Sequence, residues 1–145
     1  MNASAVIRCF AQADTDAVLA LWRHAFPEYD DASAPHRNPR LSIARKLATQ
    51  PELFFVATRG ATLVGTIMAG YDGHRGWLYS LAVAPDAQRQ GVGTRLVTHA
   101  QAALVARGCP KIGLQILEDK PHLLKFYRSL RYQVEKVVSL GKRMV

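Results

Sequence analysis

Leu81-Ala-Val-Ala-Pro-Asp-Ala-Gln-Arg-Gln-Gly-Val-Gly-Thr-Arg-Leu96 is the stretch that decides the reading of this chain. An almost wholly apolar run over 77–83 ends here, which predicts a central strand covered on both faces. Pro85 lacks a backbone N–H and turns the chain out of the ladder. Gln88, Arg89 and Gln90 form a short loop. Gly91 and Gly93 then open a helix predicted over 91–107, with Val92, Leu96, Ala100, Ala103 and Leu104 on one face and Gly108 just past its end.

A strand, a proline break and a glycine-containing helix start together suit an anion. The first helical turn leaves backbone N–H groups without partners, and the positive helix end favours negative charge. Glycine lets main-chain nitrogen approach an oxygen ligand closely. Thr94 adds a hydroxyl, and Arg89 and Arg95 add charge. The segment lacks the Gly-Lys-Ser/Thr ending of a phosphate-binding loop of the nucleotide triphosphatase type and the Gly-x-Gly-x-x-Gly pattern of dinucleotide sites.

The flanks complete an α/β domain. Strands are expected over 5–10, 53–58, 63–71, 77–83 and 111–116, and helices over 15–25, 41–48 and 122–130. Arg59-Gly60 and Asp72-Gly73 mark turns. Alternation over 132–138 and 139–144 predicts a closing pair of strands. The order is βααβββαβαββ, a mixed sheet in one domain over 1–145. The closing strands suit pairing within one chain or between two, so a homodimer is allowed. The stretch 27–39, with Glu28, Asp30, Asp31 and three prolines, reads as a long functional loop.

Composition narrows the function. The 145 residues are 49% hydrophobic and 21% charged, with a formal net charge of +8, a globular chain that favours anionic partners. Lysine and arginine are dispersed, without a nucleic-acid motif, so a nucleic-acid module ranks last. No apolar run is long enough for a membrane span, and no secretory leader pattern opens the chain, so a cytoplasmic location is expected. Cys9 and Cys109 read as small buried residues. His24, His36, His74, His99 and His122 fall into no metal-ligand spacing, so no metal is expected.

The strand ending Val83-x-Pro85, followed by Gln88-x-x-Gly91-x-Gly93, resembles the central motif of the GNAT (GCN5-related) N-acetyltransferase family. The element order is also the family's. Tyr71-Asp-Gly-His-Arg-Gly76, Arg107-Gly-Cys-Pro-Lys-Ile112 and Leu140-Gly-Lys-Arg143 look like its bacterial YpeA-like branch. The resemblance implies acetyl-CoA as co-substrate, with its pantetheine arm along Leu81, Ala82 and Val83. It implies backbone amides at Arg89, Gln90, Gly91, Val92, Gly93 and Thr94 around the pyrophosphate, with Arg95 also at the cofactor. It also implies a sheet splayed at the fourth strand, with a gap between residues 77–83 and 111–116.

Phe126-Tyr127-Arg128-Ser129-Leu130-Arg131-Tyr132 resembles the family's Phe-Tyr-x-x-x-Gly-Phe segment. That puts Tyr127 where a phenol protonates the departing thiolate. Read bare, Tyr127 is a core aromatic. Arg131 replaces the usual glycine, and Lys120 replaces a cofactor-contacting asparagine. The implied reaction is direct attack by a primary amine of a small molecule or protein in a ternary complex. The alternative is a non-catalytic acyl-CoA-binding regulatory domain.

An amine must lose a proton before attack. Glu28, Asp72, Glu118 and Asp119 are candidate bases by type, and Tyr79 and Ser80 candidate water-orienting groups. An amide of Leu81 or Ala82 suits polarising the thioester carbonyl. Trp22, Tyr29, His74, Arg75 and Trp77 are candidates for the acceptor pocket. Glu28, Asp30 and Asp31 suit a cationic acceptor, whereas His74 and Arg75 suit an anionic group on it.

Overall fold

Phe54, Phe55, Val56 and Ala57 are consecutive and all buried, which requires a sheet covered on both faces. The computed structural model describes residues 4–29 and 34–145, so Asp30 and Asp31 lie outside the described residues. Strands β1 (Val6–Cys9), β2 (Phe54–Arg59), β3 (Thr62–Tyr71), β4 (Gly76–Val83) and β5 (Ile112–Gly113) lie in the order β1-β2-β3-β4-β5. The first three pairings are antiparallel, and β4 pairs β5 in parallel. Helices are α1 (Thr15–Ala25), α2 (Pro39–Thr49), α3 (Val92–Ala106) and α4 (Pro121–Ser129).

One face of the sheet packs on α3. Phe55, Ile67, Ala69 and Leu78 meet Leu96, Val97, Ala100 and Leu104. The other face packs on α1 and α2, where Phe54, Val56, Met68 and Ala82 meet Val18, Leu21, Trp22 and Ile43. Phe54 stacks on Phe10 at 4.3 Å and lies 6.0 Å from Trp22.

Leu78 and Ala82 are four residues apart on one strand, yet they face opposite layers. A regular strand would put both on one face. The register explains this. Thr66 pairs with Ala82 and Met68 with Tyr79, so β4 carries one extra residue between them. Ser80 takes the strain with φ of 55°, rare for a residue with a side chain.

Two sequence expectations fail at the chain's end. Residues 132–138 and 139–144 form no strand, and the expected strand over 111–116 shrinks to β5. A strand exists only with a ladder partner, and two residues of β5 offer too short a template. The tail is held beside it by side chains instead: Lys111 pairs with Glu135 at 2.7 Å, and Gln115 Nε2 donates to Ser139 Oγ at 2.5 Å. A groove of about 1080 Å³ lies between the tail, β5 and α4. Val134, Val137, Val138 and Leu140 are exposed. Cys109 is buried as expected, whereas Cys9 is exposed because β1 is an edge strand.

The ends of α3 and α4 share one closure. After α3, Gly108 N donates to the Val105 carbonyl (2.9 Å) and Cys109 N to the Leu104 carbonyl (3.1 Å), with φ of 84° at Gly108. After α4, Arg131 N donates to the Arg128 carbonyl (2.9 Å) and Tyr132 N to the Tyr127 carbonyl (3.0 Å). Arg131 therefore adopts the glycine conformation, with φ of 72°. A residue with a Cβ costs about 1–2 kcal/mol there, partly offset by the greater unfolded-state freedom of glycine. Arg131→Gly is expected to stabilise the chain by about 0.5–1 kcal/mol. Chemical denaturation reads this, and a loss of stability would contradict the assigned closure.

Candidate functional site

Pairing between β4 and β5 stops after Gly76↔Ile112 and Trp77↔Gly113. Beyond it the two segments part, and Leu78, Tyr79, Ser80 and Leu81 face residues 114–117 across a cleft of about 310 Å³. The expected splay is therefore present at β4. Trp22, Glu28, His36, Arg37, Lys120 and Tyr127 also line the cleft.

The bulge in β4 is pinned from below. Trp22 Nε1 donates to Thr66 Oγ1 at 2.9 Å, and Thr66 Oγ1 donates to the Ser80 carbonyl at 3.0 Å. Thr66 is fully buried. Ala82 and Val83 pair with Thr66 and Gly65 on the β3 side. Gln88 Nε2 donates to the Val83 carbonyl at 3.1 Å, tying the loop back to the strand.

Past Val83, Pro85–Ala87 forms one 3₁₀ turn, and the backbone then alternates hands. Arg89 has φ of 61° and Gly91 of 82°. A glycine at position 91 removes the Cβ penalty, and the space where a Cβ would stand is open. The amides of Arg89, Gln90, Gly91, Val92, Gly93 and Thr94 find no acceptor among the described residues, and the first bond into the helix is Arg95 N to the Gly91 carbonyl at 3.0 Å. Consecutive free amides on alternating backbone form a concavity at the start of α3 whose donors suit an anion. No acidic residue occupies that first turn.

Arg95 and Gly93 also have packing roles. Arg95 Nη1 donates to the Ala5 carbonyl, so its guanidinium ties α3 to the residue just before β1. Gly93 is a close-packing position: an added Cβ would stand 3.4 Å from the Phe126 ring and 3.7 Å from Val83.

Tyr127 is 6% exposed and lies edge-on to Phe126 (5.1 Å) and Tyr132 (5.7 Å). Its hydroxyl has no hydrogen-bond partner among the described residues, yet it is not sealed off, because Tyr127 lines the cleft. Burial, and then the neighbouring Tyr132, push its phenol well above the ordinary tyrosine value. It stays an intact O–H donor at neutral pH.

Of the candidate bases, only Glu28 lines this cleft. Lys120 Nζ donates to Glu28 Oε1 at 2.8 Å and sits 5.6 Å from the Phe26 ring. Burial raises the Glu28 carboxyl, but the hydrogen bond from Lys120, the backbone and nearby charge outweigh it and leave it below the usual range. Asp72 is a turn residue: its Oδ1 accepts from the Arg75 and His74 amides, both at 2.7 Å, and these bonds lower its pKa. Glu118 and Asp119 are exposed and do not line the cleft.

Residues 114–117 form the wall expected of a fifth strand, but as irregular chain. Trp22 and Tyr29 line the cleft, whereas Arg75 and Trp77 line the tail-side groove and His74 lines neither. Asn38, His36, Arg37 and Ser42 stand in their place. Among the described residues no cluster suits a metal ion, and no helix is long and apolar enough to cross a membrane.

Residues 15–132 match the model of the acetyltransferase (GNAT) family. The chain belongs to that family. It is 40% identical over 139 residues to a protein of Yersinia pestis (strain Pestoides F) named acetyltransferase, a match covering 96% of this chain and 95% of the relative. Two solved structures share its fold. One is Ard1 from Thermoplasma volcanium, with TM-score 0.78 and 22% identity, covering 92% of this chain and 85% of that one. The other is an aminoglycoside N-acetyltransferase in complex with CoA, with TM-score 0.74 and 17% identity, covering 96% and 95%. The family, not a branch within it, is what these matches establish.

Thr66→Val keeps the shape but removes the acceptor of the Trp22 indole and the donor to Ser80. The expected cost is about 1–3 kcal/mol, read by denaturation. Unchanged stability would mean the bulge is held by other means.

Proposed function

We propose that this acetyltransferase moves the acetyl group of acetyl-CoA to a primary amine by direct attack in a ternary complex. The observation that carries the reading is one continuous path: an opened strand edge at Leu81, Ala82 and Val83 that runs into the six unpartnered amides of residues 89–94. No carboxylate sits in the first turn of α3 to repel a diphosphate, and the net charge of +8 favours one. Acetyl-CoA supplies an activated acyl group with a thiolate leaving group.

The residues divide the work. Amides at Arg89, Gln90, Gly91, Val92, Gly93 and Thr94 hold phosphate oxygens, and Arg95 contributes charge rather than a contact. The free edge of β4 at Leu81, Ala82 and Val83 takes the amide groups of the pantetheine arm as a neighbouring strand would. An N–H of Leu81 or Ala82, fixed by the pinned bulge, polarises the acyl carbonyl. Tyr127 gives its proton to the departing sulfur: a phenol is a weaker acid than a thiol, but positioning and the downhill step that follows make the transfer productive. Ser42, Ser80 and His36 line the cleft, but among the described residues no hydrogen bond joins a serine or cysteine to a histidine there, which gives no activated nucleophile for an acyl-enzyme.

An amine acceptor accords with the solved neighbour named for aminoglycosides. Acceptor entry falls between α1, α2 and the start of α4, where Glu28, Tyr29, His36 and Arg37 line the cleft. Screening thioester consumption against free amines, amino acids, polyamines and protein amino groups is expected to find an acceptor. CoA binding with no turnover against the whole panel would leave a binding domain.

Gly91→Glu places a carboxylate in the free-amide concavity. CoA affinity by calorimetry is expected to fall more than about 100-fold, the scale of two lost charge-assisted contacts, while the strained backbone costs about 1 kcal/mol of stability. Full affinity in the folded variant would move the diphosphate elsewhere. Tyr127→Phe is expected to lower kcat by about 10²-fold with CoA affinity nearly unchanged. Equal kcat would return Tyr127 to the core alone.

A further inference from the structure

Lys46 and Thr66 are the buried polar side chains among the described residues. Thr66 is accounted for by the bulge. Lys46 is not. It lies one helical turn beyond Ile43, on the face of α2 turned to the sheet, and is 5% exposed. No carboxylate pairs with it among the described residues. Its Nζ bonds the Ala69 carbonyl on β3 and lies 2.8 Å from Tyr79 Oη on β4, with the Tyr79 ring 5.3 Å away.

The partners decide its proton count. An ammonium has three N–H groups to place, and only two oxygens are in reach. A neutral amine places one N–H on Ala69 and accepts the phenolic hydrogen of Tyr79 on its lone pair. A buried charge with an unsatisfied donor is the costlier state. The charged groups that act on it from other elements are Glu52, in the Pro51–Leu53 turn, and Arg107, at the end of α3. These two pair with each other at 3.0 Å, so their effects largely cancel. Gln50 is neutral and spends its amide on the Tyr71 backbone. Burial first, with Glu52 opposing and Arg107 adding, pushes the amine down to about 8.

Tyr79 connects this amine to the cleft, which it lines together with Tyr127 from a different wall. The cleft needs a proton acceptor on the amine side. Of the carboxylates, Glu28 is already held by Lys120, Asp72 is spent in its turn, and Glu118 and Asp119 are elsewhere; His36 is another titratable side chain that lines the cleft with Tyr79 and Tyr127, without such a bond among the described residues. We propose that Tyr79 takes the proton released by the attacking amine and passes its own phenolic proton to Lys46, so that a buried neutral lysine is the final base.

The step balances. The acceptor ammonium gives one proton to Tyr79 oxygen, while the Tyr79 O–H bond breaks toward Lys46 Nζ; the neutral nitrogen then bonds the acyl carbon and sheds its second proton to solvent as the amide forms. The C–S electron pair leaves on sulfur, which takes the proton of Tyr127. Lys46 gains one charge and Tyr127 loses one proton, and both reset by exchange with solvent after release. Tyr79 meets substrate, whereas Lys46 acts through Tyr79. This inference rests on the acetyl-transfer reading above.

Two measurements on the full chain test it. With ¹³C-labelled lysine, the resonance absent from Lys46→Met is expected to titrate near pH 8. Titration at the ordinary lysine value overturns the proposal without any acceptor being known. With acetyl-CoA and an amine taken from the panel, wild-type kcat/KM is expected to level above about pH 8 and fall tenfold per unit below it. In Lys46→Met and Tyr79→Phe, kcat/KM at pH 7.5 is expected to drop about 10²-fold or more and to keep rising toward pH 10, where the amine sheds its own proton. Lys46→Arg keeps charge and donors but accepts no proton, so it is expected to share the defect. A structural role predicts rescue instead. If Lys46→Met fails to fold, Tyr79→Phe, at a half-exposed position, carries the test. A wild-type pH limb in either variant overturns the relay and leaves acetyl transfer standing. No thioester consumption by the wild-type chain with any amine overturns the reading beneath it.

Discussion

Main-chain polar groups inside a fold need partners, and β4 loses its partners on one side after Trp77. Everything else in the molecule accommodates that loss. The strand stays in place because its other edge is paired to β3 on both sides of the bulge and because both faces are covered, by α3 on one side and by α1 and α2 on the other. The row of free donors at the start of α3 extends the same condition past the strand. A ligand with carbonyls, amides and phosphate oxygens in series answers all of these groups at once. The opened edge costs stability in the free chain and recovers it on binding.

Around the cleft and Lys46 the carboxylates are paired, and the exchangeable protons sit on groups whose charged forms burial disfavours. Glu28 is matched with Lys120 and Glu52 with Arg107. Two phenols raised by burial, Tyr79 and Tyr127, line the cleft, and one lysine lowered by it, Lys46, lies behind Tyr79. Burial brings the proton affinities of such groups away from their free values, the setting in which proton-transfer groups are found.

Most of the architecture was legible because it is written locally. The run over 77–83, Pro85 and the glycines at 91 and 93 state a strand, its end and a helix start without reference to the rest. The resemblance singled out Tyr127, which lines the cleft, and Asp72 was legible through its place before a turn glycine. The closing strands were not, because alternation states which residues would share a face and not whether a neighbouring strand is there to pair. Arg131 kept the left-handed closure that its side chain argued against, since two backbone bonds after α4 outweigh the strain of one residue. Lys46 was missed although a signal existed: it falls three residues after Ile43 and one before Leu47, a charge on the apolar side of α2. Periodicity shows such a position, but only the packed sheet shows that no carboxylate meets it.

The extra residue in β4 makes the strand's length a parity switch. Upstream of Ser80, Leu78 belongs to the α3 layer; downstream, Ala82 belongs to the α1 layer. Removing one residue between Tyr79 and Ala82 would restore regular alternation and, with it, turn every side chain on one half of the strand to the wrong layer. Substitutions along β4 perturb one contact each. A single-codon deletion there exchanges the two cores, so this segment tolerates spelling changes far better than a change in its count.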